Sequence, residues 1–394
     1  MASRIQQIQN INTGMGAGTG RSHCGNAHGE TQPGESAARD AAGDCRVSSR
    51  RFGVVPTGGT VDAWTLAGRG GLVLEAMTFG GIVTRLLVPD RAGKLEDVVL
   101  GFSDLDSYLA GHPYFGAITG RVAGRIRNAA FSIDGKRYEL ACNEPPNHLH
   151  GGICGFDKRI WSATPVNRTD GAPSLRMEYY SADGEEGYPG NVKVAVTYTV
   201  TDENVFLIES EATSDRTTPL SLTYHSYFNL AGEGSGTIDH HRLEIPVSQF
   251  IPVDENLSLT GRLESVARHG NDFRHSRRLG DMIPMLFKNH GDLYMLAERP
   301  ESELTLAARL EDPGSGRVLT VLTTERFLQL YTGRYINCER PGKSGAAYGA
   351  YAGLCLECEG YADASNVGLR KSNLLYPRQT QRRATAYAFT VSAA

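Results

Sequence analysis

In Val192-Lys-Val-Ala-Val-Thr-Tyr-Thr-Val200 every second residue is large and apolar. Val192, Val194, Val196, Tyr198 and Val200 line one face; Lys193, Ala195, Thr197 and Thr199 line the other. A period of two is what a strand with one face on a core requires. Downstream, Asp202-Glu203-Asn204 turns the chain into a second run, Val205–Ala212. Upstream, Leu175, Met177 and Tyr179 alternate with Arg176, Glu178 and Tyr180. Further strand-like runs stand at 72–79, 81–88, 303–309, 317–323, 327–332, 353–358 and 384–392. Asp134-Gly135, between Phe131 and Tyr138, marks a hairpin turn. A short helix is predicted over Ser103–Leu109, and no long amphipathic helix is visible. The fold class that follows is all-β, a large antiparallel β-sandwich with few short helices.

Composition narrows the function. The chain has 394 residues, 40% hydrophobic and 21% charged, which is ordinary for a globular protein. A net charge of −4 gives no electrostatic case for nucleic acid or for an anionic membrane surface. No apolar run approaches the ~20 residues of a spanning helix, and no basic-then-apolar leader opens the chain. Residues 1–51 are rich in Gly, Ser, Asn and Arg and poor in large apolar residues. A disordered tail is expected there, with a misassigned start or a transit peptide as alternatives, followed by one domain over 52–394. Seven cysteines at irregular spacing fit reduced thiols in the cytoplasm. Cys355 and Cys358 form a CxxC without the second pair a zinc site would want, so buried free thiols are expected.

Several stretches look too particular for packing alone. The first is 218–230, which contains Tyr-His-Ser-Tyr-Phe. On a strand His225 and Tyr227 share a face, a good place to bind a ring and move a proton; a lone His in such a run is more often an ordinary core residue. Gly116–Ile126 sets Arg121 and Arg125 among glycines and lacks the Lys-Ser/Thr of a P-loop. Asn143–Gly152 carries His148 and His150, which share a face if the segment is extended. They could then ligate a metal, but no third ligand stands at a diagnostic spacing. Asp183–Gly190 is a turn-dense loop that could simply join two strands. Leu328–Gly333 contributes Gln329 and Tyr331. In Gly353-Leu-Cys-Leu-Glu-Cys358 an acid interrupts an apolar run. Glu357 is costly there unless partnered or raised in pKa, which makes it a candidate base; the alternative is the solvated face of an edge strand.

Taken in order, these pieces resemble the aldose 1-epimerase, or galactose mutarotase, family. The matching segments are Gly120–Arg125, Asn147–Gly152, Gly155–Lys158 ahead of Trp161, Asp183–Gly190, His225–Leu230, Gln329–Gly333 and Cys355–Glu357, spread over about residues 55–392. The resemblance implies a sugar isomerase that uses no cofactor and no metal, on a large antiparallel β-sandwich. Its partner would be a small monosaccharide, with no nucleic acid and no membrane, and it would work as a monomer or weak homodimer. His225 matches the general acid that protonates the ring oxygen, and Glu357 the general base at the C1 hydroxyl. Arg125, His150 and Gln329 match sugar contacts, Tyr227 lies in the same binding stretch, and Asp292 matches a hydroxyl-binding aspartate.

The sequence departs from the family pattern in four places. Tyr224 stands where Asn commonly precedes the His, and Asp292 lacks the usual following His or Asn. Glu357-Cys-Glu359 replaces Glu-Thr-Gln, and Leu-Tyr-Pro-Arg378 replaces a Pro-Gly turn. Three rival readings stay open. Arg121 and Arg125 would suit a hexose phosphate. A non-catalytic sugar-binding protein on the same fold would keep the aromatics and lose the acid or base. A glycoside hydrolase commonly pairs two carboxylates.

Overall fold

The computed structural model describes residues 46–297, 302–366 and 373–393. Val192–Val200 is a strand whose five apolar residues are each at most 2% exposed. Each such burial contributes about 1.5–3 kcal/mol over leaving the side chain in water. The strand pairs antiparallel with Ser174–Ser181, Val196 opposite Met177, and with Val205–Ser214, Val196 opposite Ser210. Its other face is only partly wet, because Thr199 is buried and its hydroxyl meets that of Ser174 at 2.8 Å.

This hairpin seeds a nine-stranded antiparallel sheet. The order is Ser162–Pro165, Ser174–Ser181, Val192–Val200, Val205–Ser214, Thr380–Val391, Arg317–Thr323, Thr305–Glu311, Arg242–Glu244 and Arg277–Arg278. The C-terminal strand thus closes the middle of the sheet. An N-terminal meander of five strands packs across it: Leu66, Leu74, Leu86 and Val88 share one core with Val194, Val196 and Tyr198. A third sheet holds Glu264–Ser265, Gln249–Ile251, Leu293–Met295, Phe327–Tyr331 and Cys355–Glu359. The architecture is the expected all-β sandwich. The described α-helices are short, Leu105–Leu109 and Leu279–Met282. The first is capped by Asp104, whose carboxylate accepts from the Ser107 N–H at 2.8 Å. Asp134 and Gly135 turn their hairpin with φ of 51° and 80°, as a two-residue turn requires. No helix among the described residues is long and apolar enough to cross a membrane.

Two expectations need correction. Residues 46–51, expected in the tail, belong to the described fold: Arg46–Val54 pairs with Thr60–Ala67 from Arg46 opposite Ala67 to Val54 opposite Thr60. Its arginines masked it in the sequence, yet an outermost strand carries such charge well. The Arg50 guanidinium forks onto Glu75 with its shortest contact at 2.9 Å, and Val47 and Phe52 pack inward. The rest of the tail expected over 1–51, residues 1–45 with Cys24 and Cys45, lies outside the described residues. Thr218–Leu230, expected to begin as a strand, supplies only two-residue pairings at Thr218–Pro219 and Thr223–Tyr224, though every residue in it is buried.

Candidate active site

All the stretches singled out from sequence except Asp183–Gly190 converge on one cavity of about 260 Å³. Arg125, His150, His225, Tyr227, Gln329 and Glu357 all line it. A wider, shallower groove of about 390 Å³ crosses the outer face of the large sheet near Tyr180 and Lys193, and none of those residues reaches it.

Glu357 lies on the Cys355–Glu359 strand directly opposite Gln329, so the two side chains share the cavity face. Although that strand ends its sheet, Glu357 is only 2% exposed, which excludes the solvated-edge alternative. Its Oε2 has no hydrogen-bond partner and faces His225 Nε2 at 3.5 Å. Burial pushes the Glu357 carboxyl up to about 8, with the nearby Arg125 charge pulling the other way. Burial also holds the His225 imidazole down to about 3. The other ring nitrogen of His225, Nδ1, meets the Cys355 thiol at 3.4 Å.

His150 stands beside this pair, its ring centroid 5.1 Å from that of His225. Its Nδ1 accepts the Gly124 N–H at 3.1 Å, which leaves Nε2 to carry the proton of a neutral ring. Burial first, and then the neighbouring His225, depress its pKa well below the usual range. His150 is therefore a neutral donor on the cavity wall. Donor atoms of His150, His225 and Glu357 lie within 4.8 Å of one another, so among the described residues this trio could also gather a metal ion.

The extended reading of Asn143–Gly152 fails at one residue. His150 takes a φ of 50°, which breaks the alternation. His148 consequently turns into the core, Nδ1 on the Ala141 carbonyl at 2.7 Å and Nε2 on the Tyr188 hydroxyl at 2.8 Å. The glycines explain the tight approach: a Cβ on Gly151 would lie 1.7 Å from the Gly120 carbonyl oxygen. The Asp183–Gly190 loop does more than join strands. Glu186 accepts from the N–H groups of Ile153 and Cys154 at 2.9 and 3.0 Å, fixing the turn behind His150.

Arg121 and Arg125 part ways. Arg121 is 2% exposed and spends its guanidinium on the Ser181 hydroxyl and the carbonyls of Pro189, Ser181 and Ala182. It is a structural strut. Arg125 faces the cavity and is gripped by Glu144, Nε to Oε2 at 2.5 Å and Nη2 to Oε1 at 2.6 Å.

Asp292 is not brought to the cavity. Leu293 lies opposite Gln329 and so shares its face; Asp292, one residue earlier, falls on the other side. It lines a neighbouring hollow of about 290 Å³, where its Oδ2 accepts from Asn271 at 2.9 Å and burial raises its carboxyl to about 6.

Sequence reasoning assigned no role to several lining residues. Tyr114, with its ring 4.7 Å from that of His150, and Tyr335 gave no signal of their own. Glu144, Tyr331 and Glu359 lay within segments already singled out, and His290 two residues before Asp292. Glu359 was findable, since it is two residues from Glu357 on the same strand face. Burial, then the Glu357 charge, pushes its carboxyl well above the usual range.

A family model for aldose 1-epimerase matches residues 62–388. The galactose mutarotase of Sus scrofa is 42% identical over 342 residues, covering 86% of this chain and 98% of that one. The aldose 1-epimerase of Escherichia coli (strain K12) is 32% identical over 318 residues, 79% of this chain and 90% of the other. Among solved structures, an aldose epimerase homologue from C. elegans superposes with a TM-score of 0.76 at 31% identity, covering 83% of this chain and 98% of that one. On these matches the chain belongs to the aldose 1-epimerase family.

Proposed function

We propose that this protein is an isomerase that interconverts the α- and β-anomers of free aldohexoses such as glucose and galactose. The observation that carries the reading is the buried His225–Glu357 pair, 3.5 Å apart, in a cavity that also presents the polar groups of Arg125, His150, His290 and Gln329 beside apolar walls. Its family membership and the names of its relatives support it. Ring opening needs one proton taken from the C1 hydroxyl and one given to the ring oxygen. Glu357 takes the first and His225 gives the second; the C1–O bond breaks and the aldehyde forms. Rotation about C1–C2 presents the other carbonyl face. On closure Glu357 returns its proton to the new C1 oxygen and His225 recovers the one from the ring hydroxyl. His150 and Arg125 hold sugar oxygens during the turn, with Gln329 on the same face as the base. The five described cysteines are all free, which supports a reducing compartment such as the cytoplasm.

The rivals lose ground on specific observations. Arg121 is committed to the core, so the cavity holds one arginine rather than the two that suggested a phosphate. Of the other two cavity carboxyls, Glu359 lies on the same strand face as Glu357 and Glu144 is held by Arg125, whereas hydrolysis needs two carboxyls flanking the bond. Polarimetry on fresh α-D-glucose and α-D-galactose tests the proposal. Wild type is expected to speed the decay of rotation to the unchanged equilibrium value, and His225→Ala to lower kcat at least about 10²-fold. A folded wild type with no acceleration on either sugar would sink it.

A further inference from the structure

Arg125 is the one Lys or Arg among the described residues that line the cavity. A lone buried-facing guanidinium is the natural seat for a carboxylate or phosphate. Here that seat is already taken by a carboxylate of the chain itself, two parallel contacts of 2.5 and 2.6 Å from Glu144. The backbone that carries Glu144 is held in place. Glu144 opens a turn whose two central residues are Pro145 and Pro146, and whose ends exchange backbone hydrogen bonds, Glu144 N–H to the Asn147 carbonyl at 3.1 Å and Asn147 N–H to the Glu144 carbonyl at 2.6 Å. Asn147 is 1% exposed; its amide donates to the Asn256 carbonyl and its Oδ1 accepts from the Ser258 hydroxyl, each at 3.1 Å. Lys158, beside the cavity wall, is bound to Asp157 at 2.6 Å and lies over the Tyr114 ring.

We propose that Glu144 is a specificity-determining residue: it fills the carboxylate seat on Arg125 and so restricts the site to uncharged aldoses, turning away sugars that carry their own carboxylate. The inference rests on the aldose reading above and adds the substrate class. An entering hexuronate meets a guanidinium whose fork is occupied, together with the carboxyl groups of Glu144, Glu357 and Glu359. A neutral hexose needs only Arg125 Nη1, which lies outside the fork. Removing the Glu144 carboxylate exchanges an internal anion for one on the ligand, with the charge-assisted hydrogen bonds conserved.

The test measures calorimetric binding of glucuronate and of glucose at pH 7, alongside polarimetry of both. In Glu144→Ala, which empties the seat, selectivity for glucuronate over glucose is expected to rise at least about 10-fold. In Glu144→Gln, whose amide still fills the space, the rise is expected to be smaller but above about 3-fold. Thermal melts establish that each variant folds, and the Gln variant stands if the Ala variant does not. Adding Arg125→Gln to either is expected to cancel the gain. A rise under about 3-fold in the folded variants, or a gain that survives loss of Arg125, overturns the proposal. Because selectivity is read from binding, a wild type that binds glucose without epimerising it would defeat the mutarotase reading and leave this test standing.

Discussion

Glu357 is a residue the fold would be more stable without. Its carboxyl is buried, its Oε2 has no hydrogen-bond partner, and its pKa is raised from 4.5 to about 8. A raised carboxyl means that the folded chain holds a proton the unfolded chain has released. Stability contributed by such a group therefore falls as pH climbs from 4.5 toward 8. Each unit is worth about 1.4 kcal/mol, so the penalty is below about 1 kcal/mol at pH 5, about 3 at pH 7 and about 4 at pH 8. Glu357→Gln removes that pH-dependent penalty while keeping the shape. Its unpaired amide costs roughly 1–3 kcal/mol, but equally at every pH. The diagnostic is the slope. With an unfolding entropy of ~0.7 kcal/mol/K for a domain of this size, the Tm of Glu357→Gln relative to wild type should gain about 5 °C between pH 5 and pH 8. Differential scanning fluorimetry at the two pH values reads it, and polarimetry on the same samples should show kcat lower by at least about 10²-fold. A Tm difference that stays constant from pH 5 to pH 8 would refute the raised carboxyl. Full turnover in the variant would remove Glu357 from the proton transfer.

Two further outcomes are expected. The pair His225–Glu357 holds one exchangeable proton over the whole span between the depressed imidazole, about 3, and the raised carboxyl, about 8. The rate of epimerisation should then be nearly level from about pH 5 to 7 and fall above about 8 as that proton is lost; a fall centred below pH 7 would show the carboxyl to be less raised than its burial requires. Asp292→Asn should leave the KM for galactose within about 3-fold, because Asp292 faces the hollow behind the sheet; a KM raised 10-fold or more would return it to the sugar.

Much of the fold was legible because a strand announces itself locally. Val192–Val200 and Arg317–Thr323 follow directly from their apolar residues. Arg46–Val54 was not legible, since its pattern is polar and only its partner strand explains it. The site was legible as residue types within short motifs, because His225 and Glu357 carry chemistry wherever the chain places them. Side-chain direction was less legible. One residue of positive φ decides that His150 rather than His148 reaches the cavity. A one-residue offset in strand register decides that Asp292 does not. The Glu144–Arg125 fork joins residues 19 apart in sequence, and charge type alone could not show that one neutralises the other.

The protonation states finally explain why the pair suits a reaction that runs both ways. At rest burial favours neutral His225 and neutral Glu357, whereas ring opening starts from the imidazolium and the carboxylate. Both states contain the same number of protons, so no exchange with solvent is needed to pass between them. Moving the proton from a group at about 8 to one at about 3 costs about 7 kcal/mol. The attraction of the resulting charges 3.5 Å apart returns about 5 kcal/mol at an effective dielectric of 20. The remainder, about 2 kcal/mol, is what one or two charge-assisted hydrogen bonds from sugar hydroxyls supply. The bound sugar thus draws out the ion pair, and opening it to the aldehyde restores the neutral pair. The open chain meets the same two groups in the same state whichever anomer it came from, and it can reclose on either face.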